Sequence, residues 1–390
     1  MKKLVLFGAA LALSGLTSTV HAADLPLAPE PVDYVRICDA YGTRFFYLPG
    51  TDTCLRVGGR IRVEYRFNNY GDGPNNWSDK AQTSTVFRSR GYIYLDSRTA
   101  TEYGLLRTFT SIFHTSDSSA FGAVTPELEF SFVQFGGFTF GRTQSFWDYW
   151  TGYSWGAQVT SYSDTKSNVI AYTGSFGNGI SASVSLENAA SRQVQLISAG
   201  GNGYGGDKLP DAIANIRIEQ GWGSAQLMGV LHHVRFADVA AEGKLGWAIG
   251  AGAQINVPFL GSKDKIAIQV AYSDGASRFP LDSWDSRITD AINVAGDTKT
   301  TKTWNIGGGW HHAFSDAWQA NLEGGYHVAD AATDAYDFSQ WTATGNVAWT
   351  PVSGLVIGAE MQYRNVDYKA ASGLADRDEI YTTLRVQRTF

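Results

Sequence analysis

The sequence predicts an all-β fold, a 16-stranded antiparallel barrel that crosses a membrane, and three observations carry that expectation. Segments of ten to fourteen residues alternate apolar and polar positions from Cys54 to the terminal Phe390. Their connections sort into short turns on one side and long polar loops on the other, the asymmetry of an outer-membrane barrel. An export signal precedes them, yet no later stretch approaches the 18 or so apolar residues that a spanning helix needs. In lipid only helices and closed barrels satisfy all their backbone hydrogen bonds, so a chain without such a helix crosses as a barrel.

The signal occupies residues 1–22: Lys2 and Lys3 are its basic start, Leu4 to Leu16 its apolar stretch, and Val20-His21-Ala22 a small-residue cleavage site. Losing the two lysines takes the net charge from −6 to −8, which argues against nucleic acid as a partner. Of the 390 residues 17% are charged, below the roughly 25% of soluble domains, and 43 Gly with 13% aromatics favour strands and turns. Residues 23–53 read as a periplasmic segment that opens on a Pro-rich tether. The two cysteines, Cys38 and Cys54, sit sixteen positions apart in an exported chain, which favours a disulfide over free thiols.

Taken in order, the strands are expected at 54–67, 84–98, 101–114, 124–135, 137–143, 167–177, 179–188, 211–220, 222–236, 244–258, 264–274, 302–314, 317–330, 338–350, 354–367 and 378–390. Short turns fall between them at Arg98 to Thr101, Gly136-Gly137, Gly177 to Gly179, Gln220 to Trp222, Pro258 to Lys263, Ser315-Asp316 and Pro351 to Gly354. Long loops fall at about 68–83, 143–166, 188–210, 274–301 and 366–377. In the last strand Ile380, Leu384, Val386 and Phe390 face lipid, while Thr383, Arg385 and Gln387 face water; Arg388 sits at the periplasmic interface. Trp304, Trp310, Trp318, Trp341, Trp349 and Tyr363 are candidates for interfacial girdles.

The first strand, CLRVGGRIRVEYRF, puts Arg56, Arg60, Arg62 and Arg66 on one face with Glu64. Four arginines on one ladder repel in a dry core, so this face meets water or acids. Arg88 and Arg90 follow on the second strand and Arg107 on the third, which together make a basic wall along a pore. Residues 136–166 read as a short strand and then a loop rich in Trp and Tyr, too apolar to stand free in solvent. Folded inward, it narrows the channel and sets Asp148 and Asp164 opposite the arginines, with a transverse field between them.

Chemistry-bearing motifs fail. Gly201, Gly203 and Gly206 have a GxGxxG spacing without a strand-helix context, and His232-His233 and His311-His312 are adjacent pairs that a strand sends to opposite faces. No metal, cofactor or nucleophile with its base is called for, and no enzyme activity is expected.

DYVRICDAYGTRFFYLPGTDTCLRVGGRIRVEYRF (33–67) closely resembles the amino-terminal hallmark of the alphaproteobacterial porin family, both Cys included. GGFTFGRTQSFWDYW (136–150) resembles that family's strand leading into its constriction loop, and LRVQRTF (384–390) its closing strand. The resemblance runs through the mature chain. It implies a general diffusion porin of the bacterial outer membrane, usually a homotrimer, passing small hydrophilic solutes. It also implies a pore role for Arg142, which strict alternation would send into lipid unless Gly141 forms a bulge. Asp148 is implied among the loop acids, and Phe390 as the signal read by the outer-membrane insertion machinery. The competing reading is a barrel with a plugged lumen, a receptor, an adhesin or an enzyme. Residues 23–53 are short for a plug, and the histidines offer no catalytic constellation.

Overall fold

The computed structural model describes residues 36–390 except 73–75, 119–122, 157 and 282–286. The expected signal and cleavage site lie outside the described residues. Sixteen long strands follow one another: β1 Cys54–Phe67, β2 Thr85–Thr101, β3 Gly104–Asp117, β4 Val124–Phe135, β5 Phe138–Gln144, β6 Lys166–Gly177, β7 Ile180–Glu187, β8 Asp211–Gln220, β9 Gly223–Val234, β10 Lys244–Asn256, β11 Lys265–Asp274, β12 Lys302–Ala313, β13 Trp318–Asp330, β14 Phe338–Val352, β15 Leu355–Tyr368 and β16 Arg377–Thr389. Each pairs antiparallel with the next, and β16 returns to β1 over Arg60↔Thr389 to Phe67↔Thr382, so the sheet closes without an edge.

Alternation along each strand divides lipid from lumen. On the outside stand Ile216, Leu227, Leu231, Ile249, Ile268 and Leu322, all about half exposed in the isolated chain. On the inside Gln269, Asn305, Glu323, Gln340, Asn346 and Glu360 are buried. Aromatic pairs mark the rims of the outer face. Trp318 stacks on Trp349 at 5.9 Å, Trp341 meets Tyr363 at 4.5 Å, and Trp304 meets Tyr326 at 5.5 Å. Arg388 donates to the Ser353 carbonyl in the short β14–β15 turn, at the rim expected for it.

The first turn differs from expectation. Strand β2 runs on to Thr101, which pairs with Gly104, so the hairpin turns at Glu102-Tyr103 rather than between Arg98 and Thr101. The stretch Ser97 to Thr101 keeps the alternation of a strand, and the one glycine able to take the positive φ of the turn, at +111°, is Gly104.

At the short-turn end, Phe46–Tyr47 pairs with the start of β1, and the Cys38–Cys54 disulfide fastens the segment there. Phe45 is buried beneath two inward arginines, Arg56 at 5.1 Å and Arg98 at 4.9 Å from its ring. Reduction is expected to release this segment while the barrel, which does not depend on it for closure, stays folded. Limited proteolysis with and without reductant checks this: cleavage within 36–53 should appear only after reduction, with the heat-modifiable gel shift of the barrel retained.

At the other end the loops 188–210 and 275–301 are joined by a small sheet, in which residues 195–197 run parallel to 289–292. Tyr204 reaches from the first loop to donate to Asp290 Oδ2 at 2.7 Å and lies 2.9 Å from His232 Nε2, so the GxGxxG-spaced loop is anchored by its tyrosine. Burial holds the Asp290 carboxyl above the usual carboxylate range, opposed by His232, Tyr204 and the backbone donors around it.

Candidate functional site: the channel waist

Residues 145–165 leave β5 and fold into the barrel, and the chemistry of their base explains why they stay there. Asp148 is buried and accepts from Gln144 Nε2 (2.5 Å), Ser163 Oγ (2.5 Å) and Thr165 N (2.7 Å), which tie the two ends of the loop together. Its remaining partner is Arg192, 2.7 Å away and equally buried, whose guanidinium also donates to Ser163 and lies 4.7 Å from the Phe279 ring. Asp148 therefore anchors the loop instead of facing the arginine wall, because a carboxylate saturated by four donors has no lone pair left for the lumen. Asp164, near the loop's return to β6, forms an ion pair with Lys166 at 2.7 Å.

Beyond the base, the barrel supplies acceptors for backbone N–H groups that the loop cannot satisfy itself. Glu187 accepts from Phe146 N at 2.8 Å. Glu323 accepts from both Tyr153 N and Ser154 N at 2.8 Å. Glu360 accepts from Trp155 N at 2.6 Å, and Gln362 from Gln158 N at 3.1 Å. The Arg385 guanidinium lies 4.5 Å from the Trp155 ring at the far side of the lumen.

Inward glycines make the floor under the aromatic side chains. A Cβ on Gly252 would stand 2.5 Å from the Tyr149 ring, one on Gly309 2.9 Å from Trp150, and one on Gly358 3.1 Å from Trp155. These close approaches are open only to glycine. Together the bonds and the floor spread the loop over the inner wall from β7 to β16, and Gln158 Nε2 reaches Asn68, just past the end of β1, at 3.0 Å.

The inner face of β1–β4 carries arginines with differing partners. Arg60 lies over the Tyr92 ring at 3.9 Å, and Arg62 donates to Gln387 Oε1 at 3.0 Å. Arg90 donates to Thr115 and to Tyr92 and lies 4.3 Å from the Phe113 ring. Others are neutralised in place: Arg88 makes a two-pronged bond to Asp117 at 2.6 Å, and Arg66 and Arg385 share Glu64 at 2.5 Å each. Arg56, Arg98 and Arg107 converge on the single carboxylate of Asp96.

Arg142 stands apart from this group. Its ladder partners are Ser131 and Asn168, on the outward parity shared with Phe138 and Phe140, and its Nε donates to the Leu128 carbonyl at 2.9 Å. The pairing runs unbroken through Gly141; the bulge is at Glu129, where Ser111↔Phe130 is followed by Ile112↔Leu128. The bulge thus shifts β4 and leaves β5 in phase, so Arg142 does not turn inward.

Sequence reasoning had not singled out Glu187, Arg192, Glu323 or Glu360 as holders of the loop. The strand parity of the three glutamates was visible and Arg192 lies in a loop without one, but the partners of all four lie 41 to 205 positions away. At the seam, Phe390 exchanges two backbone hydrogen bonds of 3.0 Å with Gly59, and its ring covers the place a Gly59 side chain would need.

Known proteins share the family and the fold. The family model described as "Porin subfamily" matches residues 24–386. The chain is 29% identical over 412 residues to Porin Omp2b of Brucella neotomae, covering 100% of this chain and 99% of that one. It is 30% identical over 409 residues to Porin Omp2b of Brucella canis, with the same coverage. Among solved structures, the outer membrane channel DcaP of Acinetobacter baumannii superposes with a TM-score of 0.73 at 15% identity, over 88% of this chain and 99% of that one. The anion-selective porin from Comamonas acidovorans does so with 0.56 at 11% identity, over 87% and 100%. A closed sixteen-stranded barrel with a loop drawn across its lumen and a match along the mature sequence place this chain in the porin subfamily, as a channel of the bacterial outer membrane.

Proposed function

We propose that the chain is a passive, anion-favouring diffusion channel for ions and small hydrophilic solutes, working without a cofactor or covalent chemistry. One observation carries this reading: the loop's docking consumes the acids of one half of the lumen, whereas arginines without a carboxylate of their own line the other half. Asp148, Glu187, Glu323 and Glu360 are buried in bonds to loop or arginine donors. Arg60 and Arg90 make no ion pair among the described residues, and Arg62 stands 3.8 Å from a Glu64 already held by two closer arginines. Fixed charge at a constriction selects permeant ions, so the waist is positive although the chain is acidic overall. The anion selectivity of the Comamonas porin agrees with this reading. The test is the reversal potential of the purified protein in a planar bilayer across a KCl gradient. Its sign should show chloride preference; potassium preference would overturn the assignment.

The outer wall supports a homotrimer. The outward positions of β2–β4 include Ser89, Ser97, Thr108, Thr110, His114 and Ser131, in contrast to the apolar outer face of β8–β16. A polar belt facing lipid is unfavourable, and a second and third copy would cover it. A trimer form is also known of OmpT of Vibrio cholerae, which shares the fold with a TM-score of 0.54. Native mass measurement in detergent should give three copies; a monomer would refute it. In this reading residues 23–53 are the periplasmic segment, lipid surrounds the remaining wall, and Phe390, exposed beside the β1–β16 seam, presents the terminal aromatic to the insertion machinery.

A further inference from the structure

The lumen of a barrel channel is ordinarily polar, yet the inner face of β2–β4 carries six aromatic rings: Tyr92, Tyr94, Phe109, Phe113, Phe130 and Phe132. Their inward direction follows from their partners. Phe109 is paired across the ladder with Asp96 and Phe132, Asp96 is the buried acid shared by three inward arginines, and Ser111, opposite Phe130, is buried and bonded to Glu129. The rings form a continuous path. Tyr92 meets Phe113 at 4.8 Å and Tyr94 at 6.0 Å, Tyr94 stacks over Phe109 at 6.4 Å, and Phe109 meets Phe132 at 5.5 Å.

Arginines stand at intervals along this path. Arg60 and Arg90 lie on Tyr92 and Phe113 toward the long-loop end, and Arg107 lies 5.4 and 5.5 Å from Phe109 and Phe132 toward the short-turn end. On β2 the stretch from Arg90 to Arg98 spans roughly 25 Å at the rise of a strand. The face as a whole carries eight arginines against Glu64, Asp96, Asp117, Glu127 and Glu129. A path of this kind offers a permeant two things at once. A guanidinium takes a carboxylate, and the half-buried rings of Tyr94, Phe109, Phe130 and Phe132 take an apolar or aromatic body.

We propose that the inner face of β1–β4 is a stacking track that binds and guides aromatic carboxylates through the pore. The proposal rests on the arginine-lined waist described above and adds the class of solute that it favours. An anion without a ring, such as acetate, meets the arginines alone, and a neutral sugar gains nothing from the charge.

The test uses the intact protein in a planar bilayer, after the KCl gradient has shown the sign of its preference. Bi-ionic reversal potentials with potassium benzoate against potassium acetate should give a benzoate preference at least about threefold above the ratio of their mobilities in water. Cyclohexanecarboxylate, with the same charge and similar size but no π face, should fall between the two. The variant Tyr94→Leu/Phe109→Leu/Phe132→Leu keeps the charges and the apolar bulk, so it should lower the benzoate ratio to about that of cyclohexanecarboxylate while KCl conductance stays within about twofold. A wild-type benzoate ratio equal to the mobility ratio, or equal to that of cyclohexanecarboxylate, overturns this inference alone. A potassium-preferring channel overturns the waist reading and the track with it. Should the variant fail to insert, the wild-type comparison of the three anions still decides.

Discussion

Removing the two glutamates that hold the loop tip, as Glu323→Ala/Glu360→Ala, is expected to raise single-channel conductance severalfold. Glu323 accepts two backbone N–H groups and Glu360 one, all at 2.8 Å or less. Hydrogen bonds to a charged acceptor contribute about 1.5–3 kcal/mol each, and donors left buried without a partner cost about 1–3 kcal/mol. Together these exceed what one half-buried tryptophan, Trp155, gains at the tip from its cation–π contact, roughly 0.5–2 kcal/mol. The base should hold, because Asp148 with its four donors and the fully buried Trp147 are untouched. The tip, still bonded to Gln362 and Asn68, would loosen on a fixed base and widen the bore. Glu323→Gln/Glu360→Gln keeps an acceptor oxygen at each place and should remain close to wild type. Thermal unfolding should change little in either, since the strand ladders carry the barrel. Unchanged conductance in the alanine variant, with the barrel folded, would mean that the tip is held by packing and that the glutamates are incidental.

Replacing Arg60, Arg62 and Arg90 by Gln should lower the chloride-to-potassium permeability ratio by roughly thirtyfold, because each charge favours chloride and disfavours potassium by the same amount. A fixed unit charge about 6 Å from an ion in a watery pore is worth roughly 0.7 kcal/mol, and salt screening leaves about half of the sum for three. The effect should grow as ionic strength falls. Arg88 is left out of this set because its charge is matched by Asp117 at 2.6 Å, and Arg88→Gln alone should shift the ratio far less. If the triple variant keeps the wild-type ratio at low salt, the selecting charge lies elsewhere on the wall.

The barrel was legible in the sequence because lipid and lumen impose opposite chemistry on alternate residues, and that contrast repeats without depending on any distant partner. It located three of the sixteen strands to the residue, Cys54–Phe67, Val124–Phe135 and Asp211–Gln220. It failed where local pattern and register part company. Ser97 to Thr101 looks like a turn in composition and is strand, and the bulge that decides the phase around Arg142 is on the neighbouring strand at Glu129. The waist was legible only in part. An arginine ladder can be seen in one strand, whereas the pairing that neutralises Arg88, or draws Asp148 to Arg192, depends on residues that meet only after closure. The inward rings of β3 and β4 were hidden for a simpler reason: apolar residues on both faces of Phe109 to Phe113 erase the alternation by which direction is read.

The seam between β1 and β16 has a bearing on how the molecule comes into being. Because Phe390 itself bonds to Gly59, it belongs to the ladder that shuts the cylinder, and contacts across this seam join positions more than three hundred residues apart. Such contacts are among the slowest to form, since the long intervening chain must be ordered first. Until synthesis and export are complete, the polypeptide is an open sheet with two unsatisfied borders, each able to pair with another chain. A nascent chain thus cannot mature strand by strand into a stable intermediate. It has to be kept apart from its own copies until the closing strand β16 arrives, and loss of the residues that pair with β1 would leave the gap that invites association.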